Sequence, residues 1–172
     1  NTIGSINDNY QEGQNNTSST NVNTYPGYGT QITGSTTGAN GLDLSQLGTT
    51  SMYTYNNATN AWVAVTATNT GTMAANNPYL LFIRGDRTVI PNGSNPNPFV
   101  ATTLASKGLL QTGTQIFNFT GTSNSYWLVG NPYACPVDMS AVTYNNIGDF
   151  VYVWDPNLAG SSPNTCGGYA AF

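Results

Sequence analysis

The sequence predicts an all-β fold, an antiparallel β-sandwich or jelly-roll-like domain, with an extended N-terminal arm. Three observations lead to this prediction. Short runs of β-branched and aromatic residues recur, clusters of Gly, Pro and Asn separate them, and no capped helical pattern exceeds a turn or two. Together these observations are typical of a sandwich of short strands that are joined by turns.

The chain changes character at about residue 24. Residues 1–24 form a polar N-terminal segment with few apolar side chains, and we expect an irregular arm or an edge segment there. Residues 25–172 carry the strand signals and are long enough to form a single β-sandwich domain. The chain begins at Asn1 without a signal peptide, which we interpret as a mature product or a fragment.

The first half of the domain contains a predicted hairpin and a predicted central strand. Two β-rich runs, residues 51–56 and 61–66, flank the turn Asn-Ala-Thr-Asn, and this arrangement predicts the hairpin. Residues 79–84 form a continuous apolar run, for which we expect a buried central strand. The segment 91–98 is rich in Pro, Asn and Gly, which predicts a loop.

The second half contains further strand signals. They are the alternating run 112–119, the run 126–129, the aromatic run 150–154 and the terminal segment 168–172. Turn-forming residues follow the first three of these runs, and residues 136–142 could form a single helical turn. We therefore expect this half to be mainly β structure as well.

Charged residues make up 6% of the chain, against about a quarter in ordinary soluble domains. Three Lys and Arg residues and seven acids give a net charge of −4, and there is no histidine. We expect no nucleic acid partner, because phosphate neutralisation requires clustered cations. No apolar run approaches the ~18 residues of a membrane span, so we expect no membrane insertion.

The residues of common catalytic sites are missing from the sequence. Ser–His–Asp and Cys–His arrangements need a histidine. The acids could in principle form a glycosidase-type carboxylate pair, but none lies in a recognisable motif. The Gly-rich segment 34–38 lacks the Lys of a phosphate-binding loop. We therefore expect a protein that is not an enzyme.

We expect no cofactor, with calcium as the weaker alternative. Hard oxygen ligands for Ca²⁺ could come from Asp138, Asp149, Asp155 and Asn157. These residues form no DxDxDG loop, so the capping of turns is the simpler role for them. We expect capping or solvated roles also for three isolated acids, Asp8, Glu12 and Asp43.

Both arginines lie in one short segment after the apolar run, Arg84-Gly85-Asp86-Arg87. We interpret this segment as a structural turn, in which Asp86 pairs with an arginine or caps backbone N–H groups. A guanidinium at a strand end can bind several carbonyl oxygens, and Lys replaces it poorly, so we assign this role to Arg84. The tripeptide Arg-Gly-Asp is also read by integrins, but so short a motif occurs often by chance.

Two further sets of residues suit an extracellular protein. Cys135 and Cys166 form an even pair in a Lys-poor, Asn/Thr-rich chain, which predicts a disulfide, with two buried thiols as the alternative. Trp62, Trp127 and Trp154, with the many Tyr residues, could form a platform on which sugar rings stack. These aromatic residues lie inside β runs, where packing between strands normally occupies them.

Seven short elements occur in a recognisable order between residues 51 and 169. They are SMYTYN (51–56), WVAV (62–65), FIRGDR (82–87), TLASKG (103–108), VGNPY (129–133), VWDP (153–156) and GGY (167–169). In these elements residues 25–172 resemble a domain of secreted surface proteins of Bacteroidetes-type bacteria, which commonly precedes a type IX secretion sorting domain. The resemblance implies export and an extracellular or outer-surface location, and it brings no catalytic residues.

Two departures from this pattern are visible. The sorting domain is absent from the sequence, which we interpret as truncation or processing, and Lys107 stands where the pattern more often has Arg.

We therefore expect a non-enzymatic structural or adhesive protein that assembles into a filament or a surface layer. A carbohydrate-binding module is the alternative. Few charges oppose contacts between strand edges, and the arm carries apolar residues, Ile3, Ile6 and Tyr10, that could anchor it on a neighbour. The expected partners are other copies of the chain or other surface proteins, with polysaccharide for the alternative. Deletion of residues 1–24 should then leave a folded monomer.

Overall fold

A computed structural model describes residues 4–12, 25–73, 77–83, 85–87, 100–121, 123–159 and 166–172. For Ala159 and Cys166 it describes the backbone alone. The chain divides into two compact units, Asn1–Ala134 and Cys135–Phe172. The described residues contain seven strands and one short α-helix, so the predicted β-rich class is confirmed.

Unit 1 begins with the short helix α1, Ile6–Tyr10. Ser5 is its N-cap, because the Ser5 hydroxyl accepts a hydrogen bond from the backbone N of Asp8 at 3.3 Å. The Asp8 carboxylate in turn accepts from the backbone N of Ser5 at 2.8 Å, which completes a capping box. Residues 4–12 of the segment predicted to be irregular therefore form an ordered, capped element.

The largest sheet of unit 1 has three antiparallel strands in the order β4-β3-β5. They are β3, Met52–Asn56, β4, Ala61–Ala64, and β5, Tyr79–Leu81. The β3–β4 pair aligns Tyr53 with Ala64 and Asn56 with Ala61, which confirms the predicted hairpin. Asn60 closes the turn in the left-handed region, at a φ of 50°, which Asn tolerates better than most residues.

The predicted central position of residues 79–84 is wrong. Among the described strands, β5 lies at the edge of the sheet and ends at Leu81, while the adjacent Phe82 and Ile83 are about half exposed. The central strand is β3, because it pairs on both sides. An apolar run predicts burial but not the number of strand neighbours, and only the pairing partners decide the position in a sheet.

The core of unit 1 lies beside two short parallel strands, β1, Thr33–Ser35, and β2, Asp43–Leu44. Its fully buried apolar members are Ile32, Leu42, Met52 and Met73. Partly buried apolar side chains from α1, β5 and the segment after β4 pack against them: Ile6, Tyr10, Val65, Tyr79 and Leu81. The core is therefore small and includes the N-terminal helix.

No strand forms within residues 100–121 and 123–134, so the strands predicted at 112–119 and 126–129 are not observed. Leu109, Leu110, Ile116 and Tyr126 are largely exposed there. Ring contacts link Phe119 to both Phe117 and Trp127. Alternation predicts which side chains share a face, whereas a strand also needs a ladder of backbone hydrogen bonds to a neighbouring strand.

Unit 2 contains one antiparallel ribbon, β6, Tyr152–Ala159, paired with β7, Cys166–Ala171. The two predicted terminal strands are thus confirmed, with shifted bounds. Strand β6 continues through Pro156, where the sequence predicts a turn, and the register shifts between Asp155 and Ala159. Such an irregularity accommodates a proline, which cannot donate to the ladder. The predicted helical turn is a 3-10 turn at Met139–Ala141.

Candidate functional site

A buried ion pair lies beside the C-terminal end of α1. The guanidinium of Arg87 contacts the carboxylate of Asp43, and these side chains are 1% and 0% exposed. Nη1 of Arg87 also donates to the carbonyl oxygens of Gln11, at 3.2 Å, and Glu12, at 3.1 Å. A buried charge requires a partner and hydrogen bonds, and Arg87 finds both only while the end of α1 is in place.

Asp43 is bonded through both of its carboxylate oxygens. Oδ1 faces Arg87, while Oδ2 accepts from the backbone N of Ile32 at 2.9 Å and from Nε2 of Gln11 at 2.8 Å. The same Gln11 amide donates to the carbonyl of Gly41 at 3.1 Å. The expectation that Asp43 is solvated or caps a turn is wrong, because burial leaves it dependent on an arginine distant in sequence.

The turn before Arg87 is fixed by two neighbouring segments. Gly85 has a φ of 93°, and a Cβ atom there would collide with Val100, so this position requires glycine. The Gly85 carbonyl accepts from the Thr30 hydroxyl at 2.8 Å, and the Asp86 carboxylate accepts from the backbone N of Gly27 at 2.6 Å. Asp86 thus caps a backbone N–H group.

The third residue of the predicted turn cluster, Arg84, lies outside the described residues. Arg87 binds two carbonyl oxygens in the structure, and the similar role that we assigned to Arg84 stays a prediction.

Backbone hydrogen bonds hold α1 against the rest of unit 1. The N of Asn7 donates to the carbonyl of Thr68 at 2.8 Å, and the N of Thr30 donates to the carbonyl of Tyr10 at 2.8 Å. The backbone N of Lys107 donates to Oδ1 of the buried Asn9 at 2.7 Å. Bonds of this kind depend on position and direction, so they select one placement of the helix.

We call the surface that receives α1 the α1 groove. It consists of Thr30, Gly41, Asp43, Thr68, Met73, Arg87 and Lys107, each of which bonds to a residue between Gly4 and Glu12.

The candidate assembly anchors Ile6 and Tyr10 pack on the core of their own unit, and Ile3 lies outside the described residues. Burial raises the pKa of the Tyr10 phenol above its ordinary value of 10.0, and the neighbouring Tyr79 adds to this shift. Ile6 and Tyr10 could therefore contact a neighbouring molecule only if α1 left its groove.

Exposed apolar strands form a second candidate site. In β4, Trp62 and Val63 are 41% and 44% exposed. In the β6–β7 ribbon, Tyr152, Trp154 and Tyr169 are about half exposed or more and share one face, because Trp154 pairs with Tyr169. Strands β4, β5 and β7 contain no charged residue.

Among the described residues, the three tryptophans have different aromatic partners. The rings of Tyr55 and Trp62 meet edge to face at 5.0 Å, and Trp127 contacts Phe119 at 5.4 Å. In unit 2, Trp154 meets Tyr169 edge to face at 5.1 Å. Its indole also lies over Gly167, where a Cβ atom would collide with it.

The predicted disulfide is not resolved by the structure. Cys135 is exposed at the start of unit 2, and the backbone of Cys166 opens β7, but the side chain of Cys166 lies outside the description. The pairing stays a prediction.

Two of the candidate calcium ligands cap turns. Asp138 accepts from the backbone N and hydroxyl of Ser140, at 3.0 and 2.7 Å, and these bonds lower its pKa. Asp155 accepts from the backbone N of Asn157 at 2.8 Å. Among the described residues, no three His, Cys, Asp or Glu side chains are grouped as metal ligands. Nor does that part of the chain contain a helix that could cross a bilayer.

Neither α1 nor the Arg87–Asp43 pair is predicted by the sequence patterns described above. The helix had a signal, since Ser5 followed by an acid at Asp8 is a capping-box pattern. The ion pair had none, because its two members are 44 residues apart.

Comparison of the chain with protein-family models, with curated proteins and with solved structures found no match.

Proposed function

We propose that the chain is a non-enzymatic extracellular protein with a structural or adhesive role, which assembles with copies of itself into a filament or a surface layer. The observation that carries the proposal is the exposed, uncharged and aromatic β structure of the described strands.

The β6–β7 ribbon is the strongest support for self-assembly. A two-stranded ribbon is marginally stable in water by itself, and a strand at the edge of a sheet can pair with a strand of another chain. Its aromatic face carries Tyr152, Trp154 and Tyr169, and Val153 lies on the other face, about half exposed. Contact with another copy would cover these side chains and could extend the ribbon by strand pairing.

Soluble proteins normally protect such edges with charged side chains, especially Lys. Here the only charged residue in β6 and β7 is Asp155, and the acid is bonded to its own turn. With a net charge of −4 on the whole chain, little repulsion opposes association.

For the finer architecture we propose a β-sandwich or jelly-roll. Met52 and Leu81 are paired on the core side of the β4-β3-β5 sheet. Tyr53, Leu80 and Trp62 belong to the opposite side, which is aromatic and partly exposed. A second sheet packed on that side would cover these side chains and complete a sandwich.

Hydrogen exchange tests this architecture. A second sheet packed on β4-β3-β5 predicts slow exchange at amides outside the seven described strands, comparable to the amides of β3. Exchange as fast as in the 57–60 turn would rule it out.

We further propose an outer-surface location and membership of the type IX-secreted Bacteroidetes-type surface proteins. The support is the resemblance of the seven sequence elements, of which SMYTYN and WVAV coincide with strands β3 and β4. Immunogold labelling of intact and permeabilised source cells tests the location, since a surface protein is labelled on intact cells.

The assembly proposal is tested by adding one charge to the ribbon. Val153→Lys places a cation on exposed apolar strand β6, and Asn145→Lys adds the same charge at an exposed loop position of the same unit. Sedimentation velocity and negative-stain imaging should show filaments or large assemblies for the native chain and for Asn145→Lys, and much less for Val153→Lys. A native chain that stays monomeric at high concentration would end the proposal.

Carbohydrate binding is a second candidate, favoured by the aromatic face of the ribbon. Half-exposed Tyr and Trp rings beside a glycine leave room for a sugar ring to stack on an indole face. A glycan array should then give signals that Trp154→Ala removes and Trp62→Ala retains. Equal losses in the two variants, or no binding by the native chain, would exclude this site.

A further inference from the structure

We propose that α1 is exchanged between copies, so that residues 4–12 of one molecule occupy the α1 groove of the next. This inference rests on the proposed self-assembly and names its connector. The connector is a short capped helix that enters a polar groove, rather than a strand that is added to a sheet.

The groove is built to recognise this particular segment. Its Arg87 donates to two successive carbonyls, and its Asp43 accepts from the Gln11 amide. The backbone N of Thr30 donates to the carbonyl of Tyr10, and the carbonyl of Thr68 accepts from the N of Asn7. A ligand must present these groups in the same order and spacing, and the α1 of a second copy does so.

An empty groove would be unfavourable. Without α1, Arg87 would keep Asp43 but lose both carbonyl acceptors, and Nε of Arg87 already has no partner among the described residues. Asp43 would lose one of its donors. Buried polar groups without partners are costly, so the groove favours occupation by any available copy of the helix.

The helix in turn depends on the groove. A helix of five residues is too short to be stable in water by itself, and only Ile6 and Tyr10 pack on the core. Its conformation comes from the docking contacts, which are the same in the home groove and in that of a neighbour.

The connection between helix and domain is long enough for exchange. A Cβ atom at Gly29 would collide with the backbone of Glu12, so the chain returns close to the end of α1 soon after Tyr25. Residues 13–24 join these nearby points, yet at ~3.3 Å per residue they could reach about 40 Å.

Exchange adds no new interface chemistry, because every contact of the closed monomer is reproduced. Reciprocal exchange between two copies closes a dimer, whereas successive exchange leaves a free helix and a free groove at the two ends and grows into a chain. The second mode would give the filament of the proposed function.

Single-cysteine variants of the full chain test the exchange. Asn7→Cys labels the helix and Thr68→Cys labels the groove, at positions whose backbone N and O atoms are 2.8 Å apart. The two variants are mixed at high concentration, warmed to just below the melting temperature, cooled and oxidised. A disulfide-linked heterodimer between these positions, identified by peptide mass, forms efficiently when the helix of one copy enters the groove of another.

The matched control is Asn7→Cys mixed with Ala58→Cys, an exposed position in the β3–β4 turn. It measures random oxidation, including that of the native cysteines. We expect about tenfold more heterodimer from the Asn7/Thr68 mixture, because docking holds the two thiols at high effective concentration. Equal yields from the two mixtures would overturn the inference.

The results of this experiment test the exchange of α1 and the formation of filaments separately. Filaments without the Asn7–Thr68 heterodimer would leave the proposed function standing and refute exchange. The heterodimer without filaments would support exchange as a closed dimer and count against the filament.

Discussion

At the scale of single residues, Arg87 and Asp43 depend on each other for charge compensation. Both are fully buried, and each would be left as an uncompensated charge if the other were removed. Arg87 also joins β2 to the end of α1, since one guanidinium bonds to Asp43, Gln11 and Glu12.

We predict that Arg87→Met destabilises the protein by about 3–5 kcal/mol, the usual cost of leaving one member of a buried pair without its partner. The double variant Arg87→Met/Asp43→Asn should recover part of this loss, because it removes the stranded charge. Chemical denaturation measures both. Lys107→Met is the control, because its side chain is exposed and its backbone N still bonds to Asn9. A loss no larger than that of the control would mean that the pair is not stabilising.

We also predict that Cys135 and Cys166 are joined by a disulfide. The bond would close a loop of about thirty residues, for which chain entropy gives roughly 3–4 kcal/mol. Intact mass with and without reductant decides the redox state, and Cys135→Ser should then lower the melting temperature of unit 2. Two thiols in protein purified without reductant would show the prediction to be wrong.

At the scale of elements, α1 is held by two titratable groups with opposite responses to pH. Hydrogen bonds from the backbone and hydroxyl of Ser5 lower the pKa of Asp8 below 3.8, and nearby Lys107 lowers it further. Burial, with Tyr79 adding to it, raises the pKa of Tyr10 above 10.0. The folded state therefore prefers Asp8 ionised and Tyr10 neutral.

We predict that α1 docking weakens at both ends of the pH scale. The contribution of Asp8 is present above its ordinary pKa and is lost as pH falls through the lowered value. That of Tyr10 is present below its ordinary pKa and is lost as pH rises through the raised value. The melting temperature should be measured across pH. In Asp8→Asn it should fall less at acid pH than in the native protein, and in Tyr10→Phe it should fall less at alkaline pH. If each variant keeps the native pH profile, α1 is not the pH-sensitive element.

At the scale of the whole molecule, the N-terminal segment belongs to the structure of unit 1. The polar composition of residues 1–24 led us to expect that their deletion leaves a folded monomer. The contacts of α1 change that expectation, because Arg87, Asp43 and Thr30 would all lose hydrogen-bond partners.

We predict that deletion of residues 1–12 lowers the melting temperature of unit 1, and that a synthetic peptide of residues 1–12 restores it in a saturable way. Binding to the folded state stabilises by mass action, so the recovery should follow peptide concentration. A peptide with Gln11→Ala and Asn9→Ala is the control and should restore much less. An unchanged melting temperature after deletion would show that the groove does not need its helix.

The sequence by itself determined the β-rich class, the β3–β4 hairpin, the two terminal strands and the low charge. Each of these is local: the alternation of residues 51–56 and the Asn-rich turn after them are encoded within a few positions. The structural role of the arginine segment was also predictable, because guanidinium groups are rare in this chain and bind carbonyls well.

Tertiary structure alone decided the edge position of β5, the absence of strands at 112–119 in the described structure, and the α1 groove. In each case the outcome depends on a partner that is distant in sequence, as with Arg87 and Asp43. Local pattern specifies what a segment can expose or bury. Which donor meets which acceptor is decided only when distant segments pack together, since the cost of an unpaired buried group then selects one arrangement.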